Sequence, residues 1–148
     1  MTDYLKEKNP QQLTIDEFPS RSTENVRFRD VDCLGHVNNA VFASYLETGR
    51  VNILWEQNSR MQLSDSMFVM AHLGLDFVAE VTWPGEVEIG TCVTRIGRSS
   101  ITMFQAIFQQ GRCTATAETV LVAMDAETRR SRPLTDDDIR YFGRFMCS

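Results

Sequence analysis

Three consecutive strand-like segments joined by very short turns dominate the second half of the chain. They are the runs EVEIGTCVTRI (86–96), SITMFQAIFQQ (100–110) and CTATAETVLVAMD (113–125). Apolar residues alternate in the first of these runs, which is the period of a strand with one buried face. The turns at 97–99 and 111–112 contain glycine and are short enough only for antiparallel hairpins. The sequence therefore predicts an antiparallel meander.

One long helix is indicated before the meander, from about Ala40 to Gln57. Its apolar residues recur at helical spacing over a broad face, which is typical of a helix that a sheet covers. Gly49 lies on this face, although glycine costs about 1 kcal/mol relative to alanine inside a helix. It is either simply tolerated or needed for close packing against the sheet.

Two further strands are predicted from alternating or apolar runs. A short strand covers Asn25–Arg29, and a long one covers 67–81 with a bend near Gly74, since glycine inside a strand often marks a bulge. A polar stretch, Asn58–Ser66, separates the long strand from the helix. Near the chain's end, Thr135 precedes three aspartates and is a good N-cap for a short helix.

The order of these elements predicts an α+β fold with a single long helix against one antiparallel sheet. A chain of 148 residues suits one domain with its own core. We assign that domain to residues 23–148, after a loosely held N-terminal arm, residues 1–22.

Charge and cysteine spacing exclude several classes of protein. A net charge of −5 argues against a general nucleic-acid binder, and no apolar run approaches the ~18 residues that span a bilayer. The four cysteines, Cys33, Cys92, Cys113 and Cys147, are scattered and form no CxxC pair, so we expect neither a zinc site nor a disulfide framework. The first residues are polar, unlike a secretory signal, and a cytoplasmic location is expected.

The segment NVRFRDVDCLGHVNNAVFASYLETGR (25–50) contains a motif of acidic, glycine and asparagine residues followed by an aromatic-rich helix. It resembles the signature of the 4-hydroxybenzoyl-CoA thioesterase-like family of hotdog-fold proteins. The turns WPGE (83–86) and GRSS (97–100) agree in order, and the resemblance covers about residues 24–134. The matching motif residues are Asp30, Asp32, Gly35, His36, Val37, Asn38, Asn39, Tyr45, Glu47 and Arg50.

This resemblance implies a hotdog fold, in which an antiparallel sheet wraps one long central helix. It also implies a homodimer or a dimer of dimers, with sites between two subunits. The implied activity is hydrolysis of an acyl-CoA thioester without a metal or other cofactor, coenzyme A being part of the substrate. Neither a nucleic acid nor a membrane is expected as a partner.

Thioester hydrolysis requires a nucleophile or general base and a site that stabilises the oxyanion. In relatives, the residue that matches Asp32 is the catalytic carboxylate, which either attacks the carbonyl carbon or activates water. The structural alternative for Asp32 is an Asx-turn or a helix cap. Asp30 is interpreted as a structural residue that bonds the loop backbone.

Two further side chains near Asp32 are candidates for catalysis. His36 can polarise the carbonyl, orient Asp32 or donate a proton to the leaving thiolate, but it can equally bond only the loop backbone. Asn39 can donate to the carbonyl or to Asp32, although a role as helix N-cap explains it as well. The helix N-terminus offers unpaired amides for an oxyanion. These candidate backbone amides belong to Asn38, Asn39, Ala40 and Val41.

Other residues of the motif are assigned supporting roles. Glu47 and Arg50 stand three apart on the helix and predict an ion pair that serves as scaffold, or in which Glu47 holds the catalytic loop. Cys33 is interpreted as a small buried residue and not as a nucleophile.

Coenzyme A carries phosphates, which cations and backbone amides bind. The resemblance implies phosphate contacts near one turn, where Arg98, Ser99 and Ser100 are the candidates. A second cluster, 129–132, is also basic and loop-bound.

Two alternatives stay open at this point. One is a hydratase or dehydratase of acyl thioesters on the same fold, and the other is a non-catalytic acyl-CoA binding module. The sequence leaves undecided the acyl group and the choice between coenzyme A and an acyl-carrier protein.

Overall fold

Five strands form one antiparallel sheet. The structure is a computed structural model that describes residues 4–61 and 66–147. The strands are β1 Ser20–Asn25, β2 Ser66–Phe77, β3 Glu86–Ile96, β4 Ser100–Gln109 and β5 Arg112–Asp125. Their order in the sheet is β1-β3-β4-β5-β2. The helices are α1 Tyr4–Glu7, α2 Asn39–Met61 and α3 Asp136–Gly143. The predicted meander is confirmed as β3-β4-β5, and so is the α+β class with one long helix against the sheet.

The long helix α2 packs against one face of the sheet, the inner face. Phe42, Leu46 and Ile53 are buried there. A Cβ atom added at Gly49 would lie 2.7 Å from Cγ2 of Ile89 and 2.8 Å from Nε2 of Gln105. Since real Cβ atoms do not approach so closely, the helix and sheet meet at Gly49, and close packing is the reason for this glycine.

Arg50 forms a different contact from the one predicted. The expected ion pair with Glu47 is wrong, because no ion pair among the described residues joins them. Arg50 is 6% exposed and donates from Nη1 to Oε1 of Gln105 at 3.2 Å. Burial lowers the pKa of Arg50, and the charge of Glu47 opposes this effect. Glu47 itself is exposed.

The N-terminal arm is not loosely held, and the prediction for residues 1–22 is wrong where the chain is described. Leu5, Leu13 and Phe18 are buried against the outer face of the sheet. Phe18 lies over Gly90, where an added Cβ would be 2.4 Å from Cγ of Phe18. The boundary drawn after residue 22 falls inside β1.

The first strand also lies earlier than predicted. The chain pairs with β3 over Ser20–Asn25 and turns into a short 3-10 helix at Phe28–Asp30. Val26 is buried, but Phe28 is 73% exposed. The alternation at 25–29 therefore reflects one buried valine before a turn and not a strand.

Helix α2 is longer than predicted and continues into the polar stretch to Met61. Residues 62–65 of that stretch lie outside the described residues. The irregularity of β2 falls between Met70 and His72 and not at Gly74. Thr135 caps α3 as predicted, because its side chain accepts a hydrogen bond from the amide of Asp138 at 3.0 Å.

A disulfide contradicts the expectation from cysteine spacing. Cys92 in β3 and Cys147 after α3 are bonded, with their Cα atoms 5.2 Å apart. The cysteine spacing does not reveal this pair, because the two residues are 55 positions apart and the tail returns to β3 only in the folded chain. Both sulphurs belong to the outer-face cluster that also holds Leu13 and Phe18.

None of the helices in the described residues is both long and apolar enough to span a bilayer.

Candidate active site

The loop between β1 and α2 is organised around the carboxylate of Asp30. This carboxylate is buried and accepts hydrogen bonds from the Arg27 amide at 2.8 Å and the Tyr45 hydroxyl at 3.0 Å. The Asp30 carbonyl accepts from the Asn38 amide at 2.8 Å. Burial by itself raises the pKa of Asp30, but the hydrogen bonds from Arg27 and Tyr45 outweigh it, so the pKa is lowered.

Asp32 forms an Asx-turn and still keeps one carboxylate oxygen available. Its Oδ1 accepts a hydrogen bond from the Leu34 amide at 2.9 Å, and its amide donates to the His36 carbonyl at 2.9 Å. The turn needs Gly35, whose φ of +85° suits glycine. The other carboxylate oxygen, Oδ2, has no hydrogen-bond partner among the described residues.

A cavity of about 690 Å³ brings the predicted catalytic side chains together. Asp32, His36 and Asn39 all line it. On the α2 side its wall is apolar, and the rings of Phe42 and Phe77 meet there edge to face with centroids 5.1 Å apart. Asp32 and His36 of the loop and Asn39 at the start of α2 thus line the same cavity.

The helix N-terminus offers fewer free amides than predicted. Asn38 is the N-cap, because its Oδ1 accepts from the Ala40 amide at 2.9 Å. The Val41 amide donates to the Asn38 carbonyl at 2.9 Å, and the Asn38 amide is bonded to Asp30. Of the four predicted oxyanion donors, only the Asn39 amide lacks a partner within the described part of the chain.

Asn39 is therefore not the helix cap, which was the structural alternative for it. Its side chain lines the cavity and makes no hydrogen bond to another described residue. Asn39 thus presents both its backbone amide and its side-chain amide at the positive end of α2.

Glu80 belongs to the site, although no sequence pattern identifies it. Its Oε2 lies 3.0 Å from Nε2 of His36, and both side chains line the cavity. The predicted strand 67–81 includes Glu80, but β2 ends at Phe77. The contact depends on a bridge between His36 and Thr82, which no local pattern signals.

Cys33 does not have the predicted environment. It is an exposed free thiol, because the Asx-turn at Asp32 directs residues 33–35 to the surface. Cys33 does not line the cavity.

The predicted phosphate-binding turn lies at the other end of the sheet within one chain. Ser100 starts β4, whereas the cavity lies where Gln109 of β4 pairs with Arg112 of β5. At about 3.4 Å per residue, nearly the whole of β4, roughly 30 Å, separates them. Ser99 instead lies near the second basic cluster, since the Ala123 amide donates to the Ser99 carbonyl at 2.8 Å and the Arg132 amide donates to the Ala123 carbonyl at 2.9 Å.

The described residues contain no group of three or more His, Cys, Asp or Glu side chains that could hold a metal ion.

Known proteins are similar to this chain in sequence. Residues 26–142 match the family model of the thioesterase-like superfamily. The chain is 26% identical over 115 residues to the uncharacterized protein YsmA of Bacillus subtilis, which covers 77% of this chain and 78% of YsmA.

Two solved structures are similar over most of their length. The PA5185 protein of Pseudomonas aeruginosa has a TM-score of 0.82 at 22% identity, with 91% of this chain and 96% of that chain covered. A thioesterase of Thermus thermophilus complexed with coenzyme A and Zn has a TM-score of 0.74 at 34% identity, with 86% and 93% covered. These similarities confirm the hotdog fold.

Proposed function

The chain belongs to the thioesterase-like superfamily, and on that basis we propose that it is an acyl-CoA thioesterase. It hydrolyses an acyl thioester to the free acid and coenzyme A. The observation that carries this proposal is that one cavity is lined by a carboxylate oxygen and by amide groups that have no hydrogen-bond partner among the described residues. Asp32 offers a carboxylate oxygen and Asn39 offers amide donors, and both line the same space.

These two groups match the requirements of thioester hydrolysis. A carboxylate must act on the carbonyl carbon, and donors must meet the oxygen that becomes negative in the transition state. The Asn39 amide stands at the first turn of α2, where the helix dipole favours negative charge.

Two routes for Asp32 are consistent with this arrangement. As a general base, Asp32 takes a proton from water, the hydroxide adds to the carbonyl carbon, and the oxyanion collapses to expel the thiolate. The thiolate then takes up the proton. As a nucleophile, Asp32 displaces the thiolate to form an anhydride, which water hydrolyses to the acid and restores the carboxylate.

His36 completes the proposed site as a donor near the leaving thiolate or the carbonyl. The carboxylate of Glu80, whose Oε2 lies 3.0 Å from Nε2 of His36, fixes the orientation of the imidazole. We assign Glu80 as a positioning residue, since it acts through His36.

We propose that the phosphates of coenzyme A are bound by a second copy of the chain. The Thermus thermophilus thioesterase is complexed with coenzyme A, but the turn Arg98–Ser100 is remote from the cavity of its own subunit. In a homodimer, a partner's turn can approach the cavity. This arrangement brings the predicted phosphate-binding residues close to the catalytic side chains. Support comes from exposed apolar side chains on α2 and on the edge strand β2. They are Val51, Trp55, Met70 and Phe77, between 47% and 70% exposed.

The cytoplasmic location stays a prediction. The bonded pair Cys92–Cys147 argues against it, because disulfides persist mainly outside reducing compartments. The redox state of this pair in cells is therefore the relevant measurement.

The decisive experiment measures release of free thiol from a panel of acyl-CoAs by wild type and Asp32→Asn. Asparagine keeps an oxygen that can accept from the Leu34 amide, so the loop retains its turn. We expect the variant to lose about 10²–10⁴-fold in kcat/KM. Asp76→Asn, an exposed carboxylate of β2 outside the cavity, serves as the matched control.

The possible outcomes distinguish a thioesterase from a binding module and from a hydratase. Equal hydrolysis by wild type and Asp32→Asn would contradict the mechanism. Absence of hydrolysis by wild type on every acyl chain would favour the binding module, and water addition to an enoyl-CoA without thiol release would favour the hydratase.

A further inference from the structure

The side-chain amide of Gln109 is bonded at both of its polar atoms to the backbone of Thr82. Its Oε1 accepts from the Thr82 amide at 3.0 Å, and its Nε2 donates to the Thr82 carbonyl at 2.9 Å. Gln109 is the last residue of β4 and lies 27 positions from Thr82 in the chain. A neighbouring strand makes the same two bonds to a residue of a sheet. The Gln109 side chain therefore takes the place of a strand beside Thr82.

Thr82 faces His36 on its other side. The two residues form an isolated antiparallel bridge, in which the Val37 amide donates to the Val81 carbonyl at 2.9 Å. This register makes His36 and Thr82 a non-hydrogen-bonded pair, in which the amide and carbonyl of each residue point away from the other residue. The amide and carbonyl of Thr82 thus point to the side where Gln109 binds them.

The segment that Gln109 holds also completes the candidate active site. Glu80 lies two residues before Thr82, and its Oε2 is 3.0 Å from Nε2 of His36. The His36 carbonyl accepts from the Asp32 amide at 2.9 Å. The backbone of His36 is therefore held between Asp32 on one side and Thr82 on the other, and Gln109 supports Thr82 from behind.

Gly85 leaves the room that the Gln109 amide needs. A Cβ atom added at Gly85 would lie 3.1 Å from Nε2 of Gln109, which is closer than ordinary van der Waals contact. The Gly85 carbonyl accepts from the Val26 amide at 2.9 Å, next to the end of β1. The turn that begins at Thr82 is thus anchored to β1 by its backbone and to β4 by the side chain of Gln109.

The hairpin that contains Gln109 does not depend on this side chain. Gln109 pairs with Arg112 through the backbone ladder of β4 and β5, whereas its side chain is bonded to Thr82. Removing the side-chain amide therefore acts on the segment 80–82 and leaves the ladder of the hairpin in place.

From these contacts we infer that Gln109 is a positioning residue of the candidate active site. It fixes Thr82 and, through the bridge to His36 and the carboxylate of Glu80, the place of the imidazole in the cavity. This inference rests on the proposed function, in which His36 acts as a donor near the thioester.

The first test compares the kinetics of wild type and Gln109→Leu, which removes both bonds. We expect kcat to fall by about two- to fivefold, the size expected for loss of the exposed His36–Glu80 pair, while KM stays nearly unchanged. In the background of Glu80→Gln, the same change should cost nothing more, because Gln109 acts through that pair. Gln12→Leu is the matched control, since Gln12 is exposed and lies outside the cavity.

Gln109→Glu tests the two-point bond itself. A carboxylate still accepts from the Thr82 amide but repels the Thr82 carbonyl, whereas a protonated carboxyl group accepts and donates as the amide does. The unperturbed pKa of glutamic acid is about 4.3, and a hydrogen bond to its neutral form raises this pKa. The kcat of Gln109→Glu relative to wild type should therefore be low at pH 8 and approach one near pH 4.5.

A dithiodipyridine reagent detects the released thiol in acid as well as at neutral pH, so one assay covers this range. Gln12→Glu should show no such recovery. Thermal melts of each variant at both pH values establish that the protein is folded at the assay temperature.

A second measurement needs no substrate. The chain has two histidines, so the imidazole signals in an NMR spectrum belong to His36 and His72, and His72→Gln assigns them. Gln109→Leu should shift the ring signals of His36 as Glu80→Gln does. The signals of His72, which lies in β2, should stay in place.

Unchanged ring signals of His36 in Gln109→Leu would overturn the inference. A kcat equal to that of wild type, losses that add to those of Glu80→Gln, or a Gln109→Glu deficit that is the same at both pH values would also overturn it. If the protein hydrolyses no acyl-CoA but the signals of His36 alone depend on Gln109, the proposed function fails and the positioning role stands. If it hydrolyses acyl-CoA and those signals are unaffected, the proposed function stands and this inference fails.

Discussion

The imidazole of His36 and the carboxylate of Glu80 meet across two separate loops, with Nε2 and Oε2 3.0 Å apart. Both side chains are partly exposed, and such an ion pair contributes at most about 1 kcal/mol. Glu80→Gln should therefore lower kcat by about two- to fivefold and leave KM nearly unchanged, because the pair orients a group and does not hold the substrate.

A double-mutant cycle with His36→Gln tests this relationship. Once His36 is replaced, adding Glu80→Gln should cost nothing more, since the two act as a unit. Additive losses in the double variant would contradict a positioning role, and Glu127→Gln on an exposed loop is the control.

Tyr45 stabilises the ionised form of Asp30 through its hydroxyl. Tyr45→Phe should lower the free energy of unfolding at pH 7 by about 1.5–3 kcal/mol, the range for hydrogen bonds to charged groups. Because the pKa of Asp30 is lowered in the folded chain, its stabilisation is present above the unfolded value near 3.9 and is lost as pH falls through the folded value.

Urea unfolding of wild type and Tyr45→Phe from pH 7 to pH 2 checks this prediction. The variant should unfold in acid at a higher pH, and its deficit should shrink towards pH 2. A deficit independent of pH would indicate lost packing alone. Tyr4→Phe, at a 56% exposed side chain, should change neither quantity.

Gly49→Ala should destabilise the fold even though alanine favours helices. The added methyl would meet Ile89 and Thr91 at 2.7 Å, and overpacking of a core costs about 1–3 kcal/mol. Gly143→Ala in α3, where no other atom lies within 4 Å of the added Cβ, is the matched control. A thermal melt in which both variants equal wild type would show that the helix can move away from the sheet.

The Cys92–Cys147 bond should contribute about 2–4 kcal/mol by restricting the unfolded chain. Reducing agent should lower the Tm of wild type and of Cys33→Ser, whose thiol is exposed, but not that of Cys147→Ala. If reduction leaves the wild-type Tm unchanged, the two sulphurs are not bonded in solution.

The parts of the fold that follow from local patterns could be predicted from the sequence. The meander depends on alternation and short turns, and α2 depends on a broad apolar face, so their bounds differ from expectation by only a few residues. The first strand was misplaced because Val26 and Phe28 alternate locally, whereas pairing with β3 determines where β1 ends.

The site could be predicted only in part, because some of its contacts join segments that are distant in sequence. The DVDCLGHVNN motif identifies Asp32, His36 and Asn39, and these do line one cavity. Which amide at the helix start is free depends on the capping by Asn38. Glu80 reaches the site through a contact between distant segments, and no spacing in the sequence encodes it.

The centre of the sheet's outer face is covered by the two ends of the chain itself. Phe18 from the N-terminal segment and Cys147 from the C-terminal tail both pack there, against Phe104. Face-to-face stacking of sheets needs a bare apolar surface on each partner. Two copies of this chain would have to displace these segments to pack back to back, so the edge strands β1 and β2 and helix α2 are the surfaces left for the proposed assembly.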